Sequence, residues 1–191
     1  MAKEVRTKII GFDMDGVIID NTANKIRIAK KFGIDLKPED TPADFIESVV
    51  PEDILKEIRP LLYDNPEVAL SADLVLGAKE GLGKVKASGV PYFLISRRRN
   101  AELAIGLLKK HGIWPTYFNE GNAFFVHKPE EKNEHAIRLG INFYVDDQPS
   151  VLEKLTAVPE KFLFDRFGKF GELPFAHKKI ASWDELLVHF L

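Results

Sequence analysis

Two aspartates one residue apart, Asp13 and Asp15, interrupt the apolar run "IIGFDMDGVIID" (Ile9–Asp20) and are followed by Gly16. Carboxylates in such a place run against burial, because a charge leaves water only when it is paired or coordinates a metal. Three further runs end in groups that chemistry can use: "YFLIS" in Ser96, "FFVHK" in Lys128, and "FYVDD" in Asp146 and Asp147. If the four runs are strands of one open α/β sheet, their carboxyl ends meet in the crevice where such sheets bind ligands. Four carboxylates, a hydroxyl and an ammonium would then share one site.

Four acids that close repel one another unless a cation intervenes, and a hard cation with oxygen ligands suits a chain without cysteine. Mg²⁺ is the natural choice, since it is held by one or two carboxylates, waters and a substrate phosphate. Asp13 would be ionised beside it and able to attack phosphorus. Asp15, two positions on, could project from the same side of the strand end, where a leaving group needs a proton. Lys128 and Ser96 would complete an anion site for the phosphoryl oxygens.

The elements that must position these groups are visible as alternating patterns. Short runs rich in β-branched and aromatic residues recur at Ile9–Phe12, Pro91–Ile95, Phe124–Val126, Phe143–Val145 and Lys161–Phe164, with helical periodicity between them. This alternation predicts a Rossmann-like, doubly wound, mainly parallel sheet of the α/β class. Asn100 is placed to cap a helix that Gly112 ends. Residues 21–73 carry helical spacing without a strand-like run, with helix starts at Thr41-Pro42 and Pro51-Glu52 and stops at Gly33 and Pro60. They read as a small helical insertion, leaving 1–20 and 74–191 as the sheet domain. The stretch 166–178 reads as irregular.

Composition narrows the function. A hydrophobic fraction of 45% over 191 residues can fill a core, and the charged fraction of 29% sums to a net charge of only −2. No field of one sign marks a nucleic-acid polymer or a membrane as partner, so a small phosphorylated metabolite is expected. The opening "MAKEVRTK" lacks the apolar centre of a secretory signal, and a cytoplasmic location is the expectation. Arg97, Arg98 and Arg99 read chiefly as a solvated face; Arg97 is taken as an added candidate for phosphate, and Arg98 as one that could reach a substrate. Asp147 could alternatively cap the helix near Pro149.

The order "DMDGV", "LIS", "HKP", "VDD" resembles the haloacid dehalogenase-like superfamily of aspartate-nucleophile phosphohydrolases, whose four motifs occur in that sequence. The resemblance covers about residues 5–20 and 74–165. It implies Asp13 as nucleophile and Asp15 as general acid, then base. It further implies Ser96 and Lys128 on the phosphate, and Mg²⁺ held by Asp13, the main-chain carbonyl of Asp15 and Asp146, with Asp147 nearby. The family's helical cap corresponds to residues 21–73. One departure is the short span from Lys128 to Asp146, which leaves room for a single helix. A Mg²⁺-dependent phosphatase of a small phosphomonoester is the expected activity, with a phosphomutase as alternative. Asp15 speaks against a dehalogenase, and a non-enzymatic phosphoacceptor or binding protein is the reading from another class. Sugar phosphates, phosphoglycolate and nucleotides all remain open as substrates.

Overall fold

In the computed structural model, which describes residues 7–191, β1 (Ile10–Phe12) is fully buried and lies between two parallel neighbours, β4 (Tyr92–Ser96) and β6 (Phe143–Asp146). The opening "MAKEVR", and with it most of the stretch weighed as a secretory signal, lies outside the described residues. β5 (Ala123–Phe125), β7 (Glu160–Phe164) and β8 (Lys178–Ile180) extend the sheet in the order β5-β4-β1-β6-β7-β8, every pairing parallel. The expected mainly parallel α/β sheet is therefore the observed one. β8 is an added edge strand at the end of a stretch that reads as irregular, because Lys178 and Lys179 are exposed and only Ile180 is buried.

The register decides what meets at the sheet's edge. Phe12 pairs with Leu94 on one side and Val145 on the other, so the next residues, Asp13, Ile95 and Asp146, lie level. Helices cover both faces, as parallel sheets require. On one face α5 (Ala78–Ala87), α6 (Ala101–Lys110) and α9 (Trp183–Phe190) pack with Phe12, Leu82, Leu107, Trp183 and Phe190 in one apolar core. On the other, α7 (Pro129–Leu139) and α8 (Pro149–Lys154) close over Ile95, Ala136, Tyr144 and Leu152. Asn100 caps α6 as expected, its side chain accepting from the Leu103 amide at 3.1 Å.

Residues 22–69 hold α1 (Thr22–Lys31), α2 (Ala43–Val49), α3 (Glu52–Tyr63) and α4 (Pro66–Ala69), with a core of their own around Ile28, Ile46, Leu55 and Ile58. A two-stranded antiparallel pair, β2 (Ile19–Asp20) with β3 (Asp73–Leu74), joins this segment to the sheet. Pro42 and Pro51 precede α2 and α3, as their spacing predicts. Pro60 does not stop α3. It costs one main-chain hydrogen bond, but buried Leu62 holds the final turn to the segment's core, and the helix runs on to Tyr63. No helix of the described residues is long and apolar enough to cross a membrane.

Candidate active site

Asp13 stands one residue beyond β1, buried, its amide donating to the Val145 carbonyl at 2.9 Å. Asp146 ends β6 and Asp147 follows it. One carboxylate oxygen from each of the three lies within 4.8 Å of the others. Asp146 Oδ1 accepts from the Gln148 amide at 3.0 Å, while Asp147 Oδ1 is buried without a hydrogen-bond partner among the described residues. Asp147 therefore does not cap α8; it faces the site.

The ammonium at this centre is Lys132. Its Nζ donates to Asp13 Oδ1 at 2.6 Å and to Asp146 Oδ2 at 2.7 Å, and its side chain is completely buried. Lys128, expected in that role, is exposed at the N-terminal boundary of α7, ahead of Pro129. The correction has a helical cause. Lys132 and Ala136, four apart, are the buried face of α7, so the helix delivers its lysine one turn further in than the strand-end motif suggests. The short span before Asp146 was the signal, since it puts the helix itself beside the acids. A glycine makes room for the arrangement: a Cβ on Gly11 would lie 2.4 Å from the Tyr144 ring, which sits 5.7 Å from Lys132 Nζ.

Gly16 does the same for Asp147. Its φ is +81°, and a Cβ there would fall 2.1 Å from Asp147 Oδ2. Only glycine lets the turn after Asp15 come so near the carboxylate.

Asp15 is held from two sides. Arg98 grips it through Nε at 2.9 Å and Nη2 at 2.7 Å, and Asn21 Nδ2 donates to it at 2.6 Å. The guanidinium of Arg98 lies 4.8 Å from the ring centre of Tyr63, at the end of α3, and its Nη1 is buried without a partner among the described residues. Lys25, on α1, donates to the Thr41 carbonyl at 2.7 Å and contributes a second positive charge near Asp15. Asn21, Lys25 and Tyr63 carry no motif that distinguishes them from surface or capping residues, so only the folded chain reveals them; Arg98, a sequence candidate for reaching substrate, is turned onto Asp15.

Ser96 is buried at the end of β4 as its motif predicts, but its hydroxyl is engaged locally, accepting from the Arg98 amide at 3.3 Å. Arg97 is turned to Gln148, donating to its Oε1, and so ties the loop after β4 to the one after β6. Thus Asp13, Asp15, Ser96, Asp146 and Asp147 converge; Lys128 does not, and Arg97 reaches the rim.

Electrostatics sort the carboxylates into two kinds. Burial pushes Asp13 up to about 7, and Asp146 and Asp15 add to the rise against the opposing charge of Lys132. Burial and the neighbouring Asp146 and Asp13 likewise drive Asp147 well above the ordinary range. Burial would also raise Asp15, but the charge and hydrogen bonds of Arg98, with help from Lys25 and Asn21, hold it below its ordinary value. A cluster of carboxylates raised by burial, one with an orphaned oxygen, has the donor set of a hard cation site. Asp13, Asp146 and Asp147 are the residues that could hold a metal ion.

No protein-family model matches the sequence, and no curated protein sequence matches it. Solved structures match over nearly the whole chain. A HAD family hydrolase from Deinococcus radiodurans R1, determined with bound phosphate and sodium, aligns with a TM-score of 0.65 at 16% identity, covering 98% of this chain and 97% of that one. A candidate beta-phosphoglucomutase from Thermotoga maritima aligns at 0.60 and 17%, over 96% and 100%. A dehalogenase with an intermediate complex aligns at 0.65 and 15%, over 99% and 98%. The chain has the fold of the haloacid dehalogenase-like hydrolases.

Proposed function

We propose that the protein is a Mg²⁺-dependent phosphatase of small phosphomonoesters that works through an aspartyl-phosphate on Asp13. The observation that carries this reading is the buried cluster of Asp13, Asp146 and Asp147 with Lys132 on Asp13 Oδ1, and Asp15 two residues on, held by Arg98 and Asn21. Lys132 fixes Asp13 Oδ1, which leaves the other carboxylate oxygen to attack phosphorus. The new P–O bond to Asp13 forms as the bond to the ester oxygen breaks. The ester's monoanion brings the proton, which passes through Asp15 to that oxygen, and Arg98 and Asn21 stabilise the carboxylate that Asp15 is before and after the transfer. The same carboxylate then takes a proton from water, whose oxygen attacks phosphorus; the bond to Asp13 breaks and inorganic phosphate is released.

Mg²⁺ bound by Asp13 and Asp147 would neutralise the carboxylates and the phosphoryl oxygens they face. The Deinococcus hydrolase, with phosphate and sodium bound on the same fold, is consistent with an anion and a cation sharing such a site. The helices of residues 22–69 serve as the cap, bringing Tyr63 against Arg98 and Lys25 near Asp15. Asp15 separates the reading from a dehalogenase, which has no alkoxide leaving group to protonate.

Phosphate release from a panel of nucleotides, sugar phosphates and phosphorylated acids, with Mg²⁺ and with chelator, tests the proposal. Release that needs Mg²⁺ and disappears in Asp13→Asn is the expected result. Absence of release from every compound, by folded protein that binds Mg²⁺, would overturn it.

A further inference from the structure

The grip of Arg98 on Asp15 depends on what holds Arg98. Its Nε and Nη2 fork onto the carboxylate at 2.9 and 2.7 Å, while Nη1 is buried with no acceptor among the described residues, so no hydrogen bond fixes that edge of the guanidinium. An arginine side chain has many rotamers, and a fork at one end leaves the group free to tilt unless something covers its face. Tyr63 is that cover, with its ring centre 4.8 Å from the guanidinium. It closes α3, next to Leu62 in the core of the helical segment, and so reaches Arg98 from the other part of the chain. Burial, with Asp15 and then Asp147 adding to it against the charge of Arg98, drives the Tyr63 phenol well above its ordinary range and keeps it neutral. What it offers Arg98 is therefore the negative face of its ring, an attraction that strengthens out of water.

From this geometry we infer that Tyr63 is a positioning residue for Asp15, its ring holding the Arg98 guanidinium in the fork that orients the carboxylate. The inference rests on the phosphatase reading for what Asp15 does, and adds what keeps it in place. Proton transfer needs Asp15 within hydrogen-bond reach of the ester oxygen, so a fork that tilts costs protonation first. Asp13 is fixed separately, by Lys132. Loss of the ring should thus slow the step that depends on protonation, whereas a general loosening of the helical segment would slow every ester alike.

The test compares phenyl phosphate with 4-nitrophenyl phosphate, which have similar shapes and differ in how well the leaving oxygen carries charge. In Tyr63→Leu the ratio of kcat for phenyl phosphate to kcat for the nitrophenyl ester should fall about tenfold. Tyr63→Phe keeps the ring and should restore the wild-type ratio. Arg98→Lys keeps the charge without the fork and should lower the ratio as Tyr63→Leu does, and adding Tyr63→Leu to it should lower it little further. Tyr63→Met, which fills the space without a ring, replaces Tyr63→Leu if that variant does not fold. Solvent exchange of the Arg98 Nε–H, followed by NMR, reads the fork without turnover: slow in the wild type and in Tyr63→Phe, and at least about tenfold faster in Tyr63→Leu. Equal slowing of both esters in Tyr63→Leu, a Tyr63→Phe ratio as low as that of Tyr63→Leu, or Nε–H exchange that ignores the ring overturns the inference and spares the phosphatase reading. Hydrolysis of neither ester by the wild type, with exchange that follows the ring, upholds the hold of Tyr63 on the fork and sinks the phosphatase reading instead.

Discussion

Lys132 Nζ lies 2.6 Å from Asp13 Oδ1, inside a helix whose start, four residues earlier, carries a second lysine that reaches neither acid. The pair fixes the carboxylate proposed as nucleophile and, through the further contact to Asp146, keeps two buried carboxylates in one place. The two lysines can be told apart. Lys132→Met should abolish turnover and cost about 3–5 kcal/mol of stability, because one partner of a buried ion pair is removed and its acids stay. Lys128→Met, at an exposed site, should shift stability by no more than about 0.5 kcal/mol and leave most activity. Denaturant unfolding and phosphate release on both variants check this; comparable losses would return the role to Lys128.

Gly16 sets how near the turn after Asp15 approaches Asp147. In Gly16→Ala the positive φ should cost about 1–2 kcal/mol, and the methyl must also push the Asp147 carboxylate away. The Mg²⁺-induced rise in Tm expected of the wild type should therefore shrink in this variant, as it should in Asp147→Asn. Thermal melts with Mg²⁺ and with chelator read the difference directly. An undiminished rise in both variants would remove Asp147 from the cation site.

The sheet was legible because parallel strands buried on both faces read as apolar runs, and Asp13, Ser96 and Asp146 were legible because each stands at the end of one. Lys132 was not, since a lysine inside a helical pattern looks like a solvated residue until the helix is docked on acids. The contacts of Arg98 were hidden for a related reason. Whether Arg97, Arg98 or Arg99 turns inward depends on the loop after β4 and on Tyr63, which lies 35 positions earlier and in another element. The pair β2 and β3 is too short to show a period, at two residues each.

Arg166 ties the loop after β7 to the root of the helical segment, meeting Asp20 Oδ2 at 2.7 Å and Oδ1 at 3.0 Å. Burial alone would raise Asp20, but hydrogen bonds from Arg166 and Thr22 bring it down to about 2, from an ordinary 3.8. The folded protein thus binds fewer protons than the unfolded chain between these values. The pair's contribution is complete above about pH 4 and is lost as the pH falls toward 2. With both side chains partly exposed, the contribution is about 1 kcal/mol. Arg166→Met should lose that amount at pH 7 and converge with the wild type near pH 2. Urea melts across this range check the sign, and a gap that widens toward low pH would contradict it.

Asp15→Asn separates proton transfer from attack. The asparagine keeps the shape and can still accept from Arg98 or receive from Asn21, but it cannot deliver a proton to the ester oxygen. Alkyl phosphates, whose alkoxides are poor leaving groups, should lose about 10²–10⁴-fold in kcat. A 4-nitrophenyl ester leaves as a stable phenolate and should lose much less. The ratio of the two losses is the informative quantity, because a merely displaced nucleophile would slow both esters alike. Steady-state rates on the two substrates, measured with saturating Mg²⁺, give that ratio; equal losses would leave Asp15 a structural partner of Arg98 and move the acid elsewhere in the site.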